Sequence, residues 1–198
     1  MESAQKDSRL LTMENRTIVA LGGNQTTQAG PPEDTLRAAL VALQTESVRL
    51  CAVSRFYRTA AFPAGSGPDY VNAAAVLATD LPPEELLAHL HRIEAAFGRV
   101  RTARWGARTL DLDLIACGAA VRPDAAGLRR WIDLPPADQA RLAPGELILP
   151  HPRLQDRAFV LVPLADVAPG WRHPLTGLTV ADMRAALPEA LCAEVRPL

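Results

Sequence analysis

LPPEELLAHLHRIEAAFGRVRTARWGARTLDLDL, residues 81–114, passes from a helix into a strand through a loop crowded with arginine. Leu86, Leu87, Leu90, Ile93 and Phe97 recur at helical spacing as one apolar stripe, with His91 and Glu94 read as lying off it. Prolines and acids at the entry, with Asp80 as the expected cap, suit a helix start, and Gly98 suits its end. Leu110–Cys117 then reads as a strand. Working outward, Tyr70–Thr79 is a strand, Thr59–Asp69 a loop rich in proline and glycine, and Val48–Tyr57 another strand. Pro31–Thr35 opens a helix carrying Leu36, Ala39, Leu40 and Leu43, and Thr17–Leu21 is a strand ending in Gly22-Gly23-Asn24, a turn or loop signal. The order β-α-β-β-α-β predicts an α+β fold, a ferredoxin-like α/β sandwich whose mainly antiparallel sheet is covered by helices.

The flanks add less. Residues 1–15 are polar and are expected to form a disordered extension, with Met13 as an alternative start, and residues 16–198 a single domain. Gly118–Glu146 is a long excursion around Trp131, an insertion at about 119–146 with weak periodicity. Leu147–Leu149 is expected as a short strand, Ala158–Val167 as a helix with Pro163 near its start, and Thr179–Leu187 as the last helix. With 48% apolar and 22% charged residues and a net charge of -1, the 198-residue chain has enough material for one core and no global field for nucleic acid or a membrane. No transmembrane run or signal peptide stands out, so a cytoplasmic protein is expected. Cys51, Cys117 and Cys192 form no CxxC, which predicts neither disulfides nor a zinc site, and Cys51 and Cys117 read as small buried apolar residues.

Residues i and i+2 of a strand share a face, so Asp111 and Asp113 converge opposite Leu110, Leu112 and Leu114. Such a pair suits Mg²⁺, which takes one or two carboxylates together with phosphate oxygens and water, although the same alternation fits an acidic solvent face. Arg99, Arg101, Arg104 and Arg108 tilt the reading, because arginine grips phosphate bidentately and stays charged. From Arg92 to Arg108 there are five arginines and one glutamate, on a stretch with Gly98 and Gly106 near its ends that suits a closing lid. No P-loop, complete GxGxxG spacing or Ser-His-Asp set is present. His151, fixed between Pro150 and Pro152 and followed by Arg157, is the candidate functional histidine, while His89, His91 and His173 read as surface or packing residues. Tyr70 and Asn72 share a strand face, where an aromatic ring and an amide suit a flat heterocycle.

ALGGN (20–24), SRFYRT (54–59), PDYVNAA (68–74), RIEAAFGRVR (92–101), RWGARTLDLDL (104–114) and LPHPRLQDRAFVLVPL (149–164) occur in this order. Together they resemble the 6-hydroxymethyl-7,8-dihydropterin pyrophosphokinases of folate biosynthesis, over about Thr17 to Pro174. The resemblance implies transfer of the diphosphate of ATP to the pterin hydroxymethyl oxygen, with attack at the β-phosphorus and release of AMP. Asp111 and Asp113 would hold two Mg²⁺ ions. Arg99, Arg108, His151 and Arg157 match positions at the phosphates, and Glu94 a position near the nucleotide. Arg101 and Arg104 match a flexible catalytic loop that closes over the substrates, and Arg101 there also contacts the nucleotide. Thr59, Tyr70, Asn72, Trp105 and Phe159 match the pterin side: Asn72 would read the amide edge, Tyr70 and Phe159 would sandwich the ring, and Trp105 would seal it. The family binds ATP first, which suits a site assembled by closure.

The resemblance also implies a monomer, with no nucleic-acid or membrane partner. With 198 residues, no fused dihydropteroate synthase or aldolase is expected. This chain departs from the pattern at Ala60, Ala61 and Phe62, at Thr102 and Ala107, in a loop one residue shorter between Arg101 and Arg104, and at Pro152. A nucleic-acid-binding ferredoxin-like module is the alternative, and the near-zero net charge and the acidic pair stand against it. A catalytically dead homologue is a third reading, which the complete set of acids and arginines disfavours.

Overall fold

The computed structural model describes residues 16–61, 65, 67–99 and 108–198. The chain runs β1 (Arg16–Gly23), α1 (Pro32–Ala42), β2 (Val48–Val53), β3 (Tyr57–Thr59), β4 (Tyr70–Thr79), α2 (Pro83–Ala96) and β5 (Asp111–Cys117). It continues with α3 (Ala125–Ile132), α4 (Pro136–Arg141), α5 (Ala158–Val167), α6 (Val180–Ala186), α7 (Glu189–Ala193) and β6 (Arg196–Pro197). The sheet order is β5-β1-β4-β3-β6, all antiparallel, and β2 pairs with β4 beside β3. Taking β2 and β3 as one interrupted edge strand gives the ferredoxin-like order that the β-α-β-β-α-β reading predicts.

Alternation sends side chains to two cores. Val19, Leu21, Val71, Ala73, Leu77, Leu112 and Leu114 pack under Leu36, Ala39 and Leu40 of α1 and Leu86, Leu90 and Ile93 of α2. Ile18, Ala74, Val76 and Ile115 face the other way, against Val160, Leu161 and Leu164 of α5 and Met183 of α6. The trailing elements thus cover the second sheet face and make three layers. Central strand β4 is buried along nearly its whole length.

Several local expectations are corrected. Gly22 and Gly23 belong to β1 and do not form a turn. A Cβ on Gly23 would lie 2.7 Å from the Thr109 carbonyl oxygen, so the strand needs glycine there to let the approach to β5 come close. The strand expected over Val48–Tyr57 breaks after Val53, where the Ser54 hydroxyl accepts the Ala74 N–H at 2.9 Å in place of a backbone partner. The cap of α2 is Pro82 and not Asp80, while Gly98 at φ 78° ends the helix as expected. The excursion after β5 holds two short helices; the Asp124 side chain caps α3 through Gly127 N–H, and Leu128 anchors it in the interior. Leu147–Leu149 is no strand, since only Leu149 bridges to Arg122. Pro163 sits in the middle of α5, and α6 is followed by α7 and by β6, which zips onto β3. The three cysteines are free and only partly buried. Among the described residues no helix is long and apolar enough to cross a membrane.

The Asp166 carboxylate on α5 ties that helix to the sheet edge. It accepts from Arg55 Nη2 at 2.8 Å and from the Tyr57 hydroxyl at 2.8 Å, and these bonds hold its pKa down. His173, 1% exposed beside Trp171, accepts the N–H groups of Leu175 and Thr176 at Nδ1, and burial lowers its pKa. A histidine that stays neutral when folded but takes a proton near pH 6.5 when unfolded leaves its stability contribution intact above that pH and loses it as pH falls. Denaturation midpoints therefore drop from pH 7 to pH 5. His173→Asn, whose side-chain oxygen can accept the same N–H groups, is expected to reduce that drop. An unchanged pH profile in the variant contradicts this account.

Candidate active site

Sheet register builds the site. Gly22 pairs with Asp111 on one side and Asn72 on the other, and Asn72 pairs with Tyr57, so these residues form one row across the α5-facing side. Asp113 lies two residues along on the same face, opposite Ala20. A Cβ on Gly22 would approach the Asn72 Oδ1 to 3.1 Å, so glycine keeps the floor between the acid and the amide open. Sequence analysis assigned no role to Gly22; its signal was a glycine at the end of an apolar strand.

The acids are less exposed than their alternation suggested. The Asp111 side chain is 17% exposed and pairs with Arg99 at 2.5 Å and with Arg108; that of Asp113 is 36% exposed, with Arg157 Nη1 at 3.6 Å. Burial, and then the Asp113 charge, push the Asp111 pKa up, while Arg108 and Arg99 oppose the rise. Burial lowers the pKa of Arg157, with Asp113 opposing and the nearby Arg153 cation adding to the fall.

Glu94 is corrected from a position off the apolar stripe. It is 2% exposed, and its Oε1 accepts the Leu112 N–H at 2.8 Å and pairs with Arg99. This buried carboxylate thus fixes both an arginine and the start of the acid-bearing strand. Asn24 has a comparable part that sequence analysis missed, although it closes the ALGGN motif. Buried, it donates to the Pro68 carbonyl at 3.1 Å and accepts the Arg108 N–H at 2.8 Å, tying the segment before β5 to the loop before β4.

His151 comes from the segment between the excursion and α5. Its N–H donates to the Ile115 carbonyl at 2.8 Å, and its Nδ1 accepts the Arg153 N–H at 3.1 Å. The ring proton therefore sits on Nε2. Burial, then Arg157 and Arg153, lower its pKa to about 3, so it remains a neutral donor near pH 7. On the other side of Gly22, Asn72 donates to the Thr59 hydroxyl at 2.8 Å, leaving its oxygen and one N–H for a ligand. Thr59 pairs across the ladder with Tyr70. Phe159 opens α5 with 40% of its surface exposed and the Arg157 guanidinium 5.6 Å from its ring centre. Arg101, Arg104 and Trp105 lie outside the described residues.

The structure thus assembles Arg99, Arg108, Asp111, Asp113, His151 and Arg157 at one end of the sheet, and Thr59, Tyr70 and Asn72 along the same face. Arginines and a neutral N–H donor around two acids suit a metal-bound polyanion. Losing the two Asn24 side-chain bonds leaves a part-buried N–H of Arg108 and the Pro68 carbonyl without these partners. Asn24→Ala is therefore expected to cost about 1–3 kcal/mol in urea unfolding, and a cost below 0.5 kcal/mol would contradict its tying role.

A family model described as 7,8-dihydro-6-hydroxymethylpterin-pyrophosphokinase matches residues 18–169. A Synechocystis protein named 2-amino-4-hydroxy-6-hydroxymethyldihydropteridine pyrophosphokinase is 37% identical over 182 residues, covering 91% of this chain and 79% of that one. A Pseudomonas aeruginosa protein of the same name is 39% identical over 177 residues, covering 89% and 94%. Among solved structures, an HPPK-DHPS crystallised with substrates superposes with a TM-score of 0.60 at 12% identity, over 89% of this chain and 46% of that one. The Plasmodium falciparum HPPK-DHPS gives 0.58 at 12% identity, over 86% and 43%. These two likenesses bear on the fold alone, and this chain spans under half of either solved chain.

Proposed function

The chain belongs to the 7,8-dihydro-6-hydroxymethylpterin-pyrophosphokinase family, and from that premise we propose that it transfers the diphosphate of ATP to 6-hydroxymethyl-7,8-dihydropterin in folate biosynthesis. The observation that carries the reading is the row Asp111–Gly22–Asn72, which sets an acid and arginine cluster beside an amide on one sheet face. The pterin hydroxyl oxygen bonds to the β-phosphorus as the bond from that phosphorus to the α–β bridging oxygen breaks; AMP leaves with that oxygen, and the hydroxyl proton passes to solvent.

Each group has a task in this reading. Arg99, Arg108 and Arg157 bind phosphate oxygens, and His151 donates from Nε2 without changing its charge. Glu94, buried behind Arg99, positions that arginine, at the place the family resemblance puts near the nucleotide. Asn72 reads the pterin amide edge with Thr59 holding one of its N–H groups, and Tyr70 and Phe159 flank the ring. Arg101, Arg104 and Trp105 take the catalytic and pterin-side roles that the family resemblance implies for them.

The donor set fits Mg²⁺. Asp111 and Asp113 are hard oxygen donors on one face, and among the described residues no third acid, histidine or cysteine joins them, so phosphate oxygens and water complete the shell. Two Mg²⁺ ions held there would neutralise phosphate charge and acidify the pterin hydroxyl. We read the protein as a cytoplasmic monomer acting on small molecules.

The test is product analysis with Mg-ATP, with and without the pterin. AMP that forms only when pterin and Mg²⁺ are both present is the expected result; ADP, or no product from folded protein, overturns the reading. Asp113→Ala is expected to lower turnover about a thousandfold or more. The same change is expected to move stability by under about 1 kcal/mol, since its partner is distant and the carboxylate partly solvated. Near-normal turnover in that variant would sink the metal assignment.

A further inference from the structure

The excursion between β5 and His151 has no part in the proposed reaction, yet among the described residues its Gln139 carbonyl meets Arg153, two residues from His151. Arg153 Nη1 donates to the Gln139 carbonyl of α4 at 3.4 Å. Its Nε is shut off from solvent and has no hydrogen-bond partner, and no carboxylate pairs with it among the described residues. Among the described residues no bond is made to the Nε–Nη2 edge, the side of the guanidinium that grips phosphate bidentately. Arg153 is close enough to His151 and Arg157 for its charge to lower the pKa of each. A partly buried guanidinium, one hydrogen bond short and beside a second guanidinium, is unfavourable until an anion joins it.

We infer that Arg153 is a further phosphate-binding residue, gripping the nucleotide's polyphosphate from the His151–Arg157 side, and that the excursion's Gln139 carbonyl steadies it there. This rests on the ATP-dependent reading above. It gives the excursion a function, since α4 supplies the carbonyl that orients the guanidinium. It also gives Arg153 two linked contributions, because its backbone N–H sets the His151 tautomer while its side chain meets the ligand.

The test compares wild type, Arg153→Gln and Arg153→Lys by calorimetric binding of Mg-ATP and of magnesium tripolyphosphate, and by melting without ligand. Arg153→Gln is expected to weaken both ligands about tenfold or more, the scale of one charge-assisted contact. Its ligand-free Tm is expected to stay level or rise, because repulsion from Arg157 is relieved. Arg153→Lys is expected to recover part of the affinity. A merely structural arginine gives the opposite pattern, a lowered Tm in both variants, and that result overturns the inference. So does affinity within twofold of wild type in Arg153→Gln. If wild type itself binds neither Mg-ATP nor tripolyphosphate, the ATP-dependent reading fails and takes this inference with it.

Discussion

Two carboxylates on adjacent same-face positions of one strand repel, and the site is built around the relief of that repulsion. Asp111 sits deep enough that burial and Asp113 both work against its charge. Arg99 and Arg108 close on it, and Arg157 stands by Asp113. Glu94 then holds Arg99 in place from inside the protein while accepting the backbone N–H of Leu112, the residue between the two acids. The strand, the helix before it and the arginines are thereby one electrostatic unit.

The fold serves that unit by register. β1 lies between β5 and β4, so the glycine at position 22 separates the acid from Asn72 with no side chain between them. The second helical layer, absent from the minimal β-α-β-β-α-β plan, delivers the remaining parts. The His151 segment hydrogen-bonds to β5 through Ile115, and α5 begins at the point where Arg157 and Phe159 face the sheet end. The Asp166 clamp to Arg55 and Tyr57 fixes that helix against β3, whose last residue, Thr59, holds Asn72.

Much of this was legible in the sequence where the signal was periodic. β4 has the bounds read from Tyr70–Thr79, α5 those read from Ala158–Val167, and the leucines flanking Asp111 and Asp113 face the core as alternation requires. What escaped depended on neighbours distant in the chain. Gly22-Gly23 looks like a turn until the close approach of Thr109 and Asn72 is known. Glu94 looks solvent-facing because a charged residue on a helix usually is, and only the Leu112 N–H and Arg99 explain its burial. The break at Ser54 hinges on a side-chain hydroxyl replacing a ladder bond, and the two helices of the excursion and strand β6 are too short to show a period. Within the site, the acids and arginines announced themselves by type, whereas Asn24, whose work is purely to join two loops, carried no chemical signal of its own.

The central claim is that Asp111 and Asp113 hold the metal ions that accompany the nucleotide. Manganese paramagnetic resonance in the presence of α,β-methylene-ATP counts those ions without turnover. Wild type is predicted to bind two Mn²⁺ per chain under these conditions, and Asp113→Asn fewer, with the nucleotide still bound. The same number of tightly held ions in wild type and variant would contradict the account.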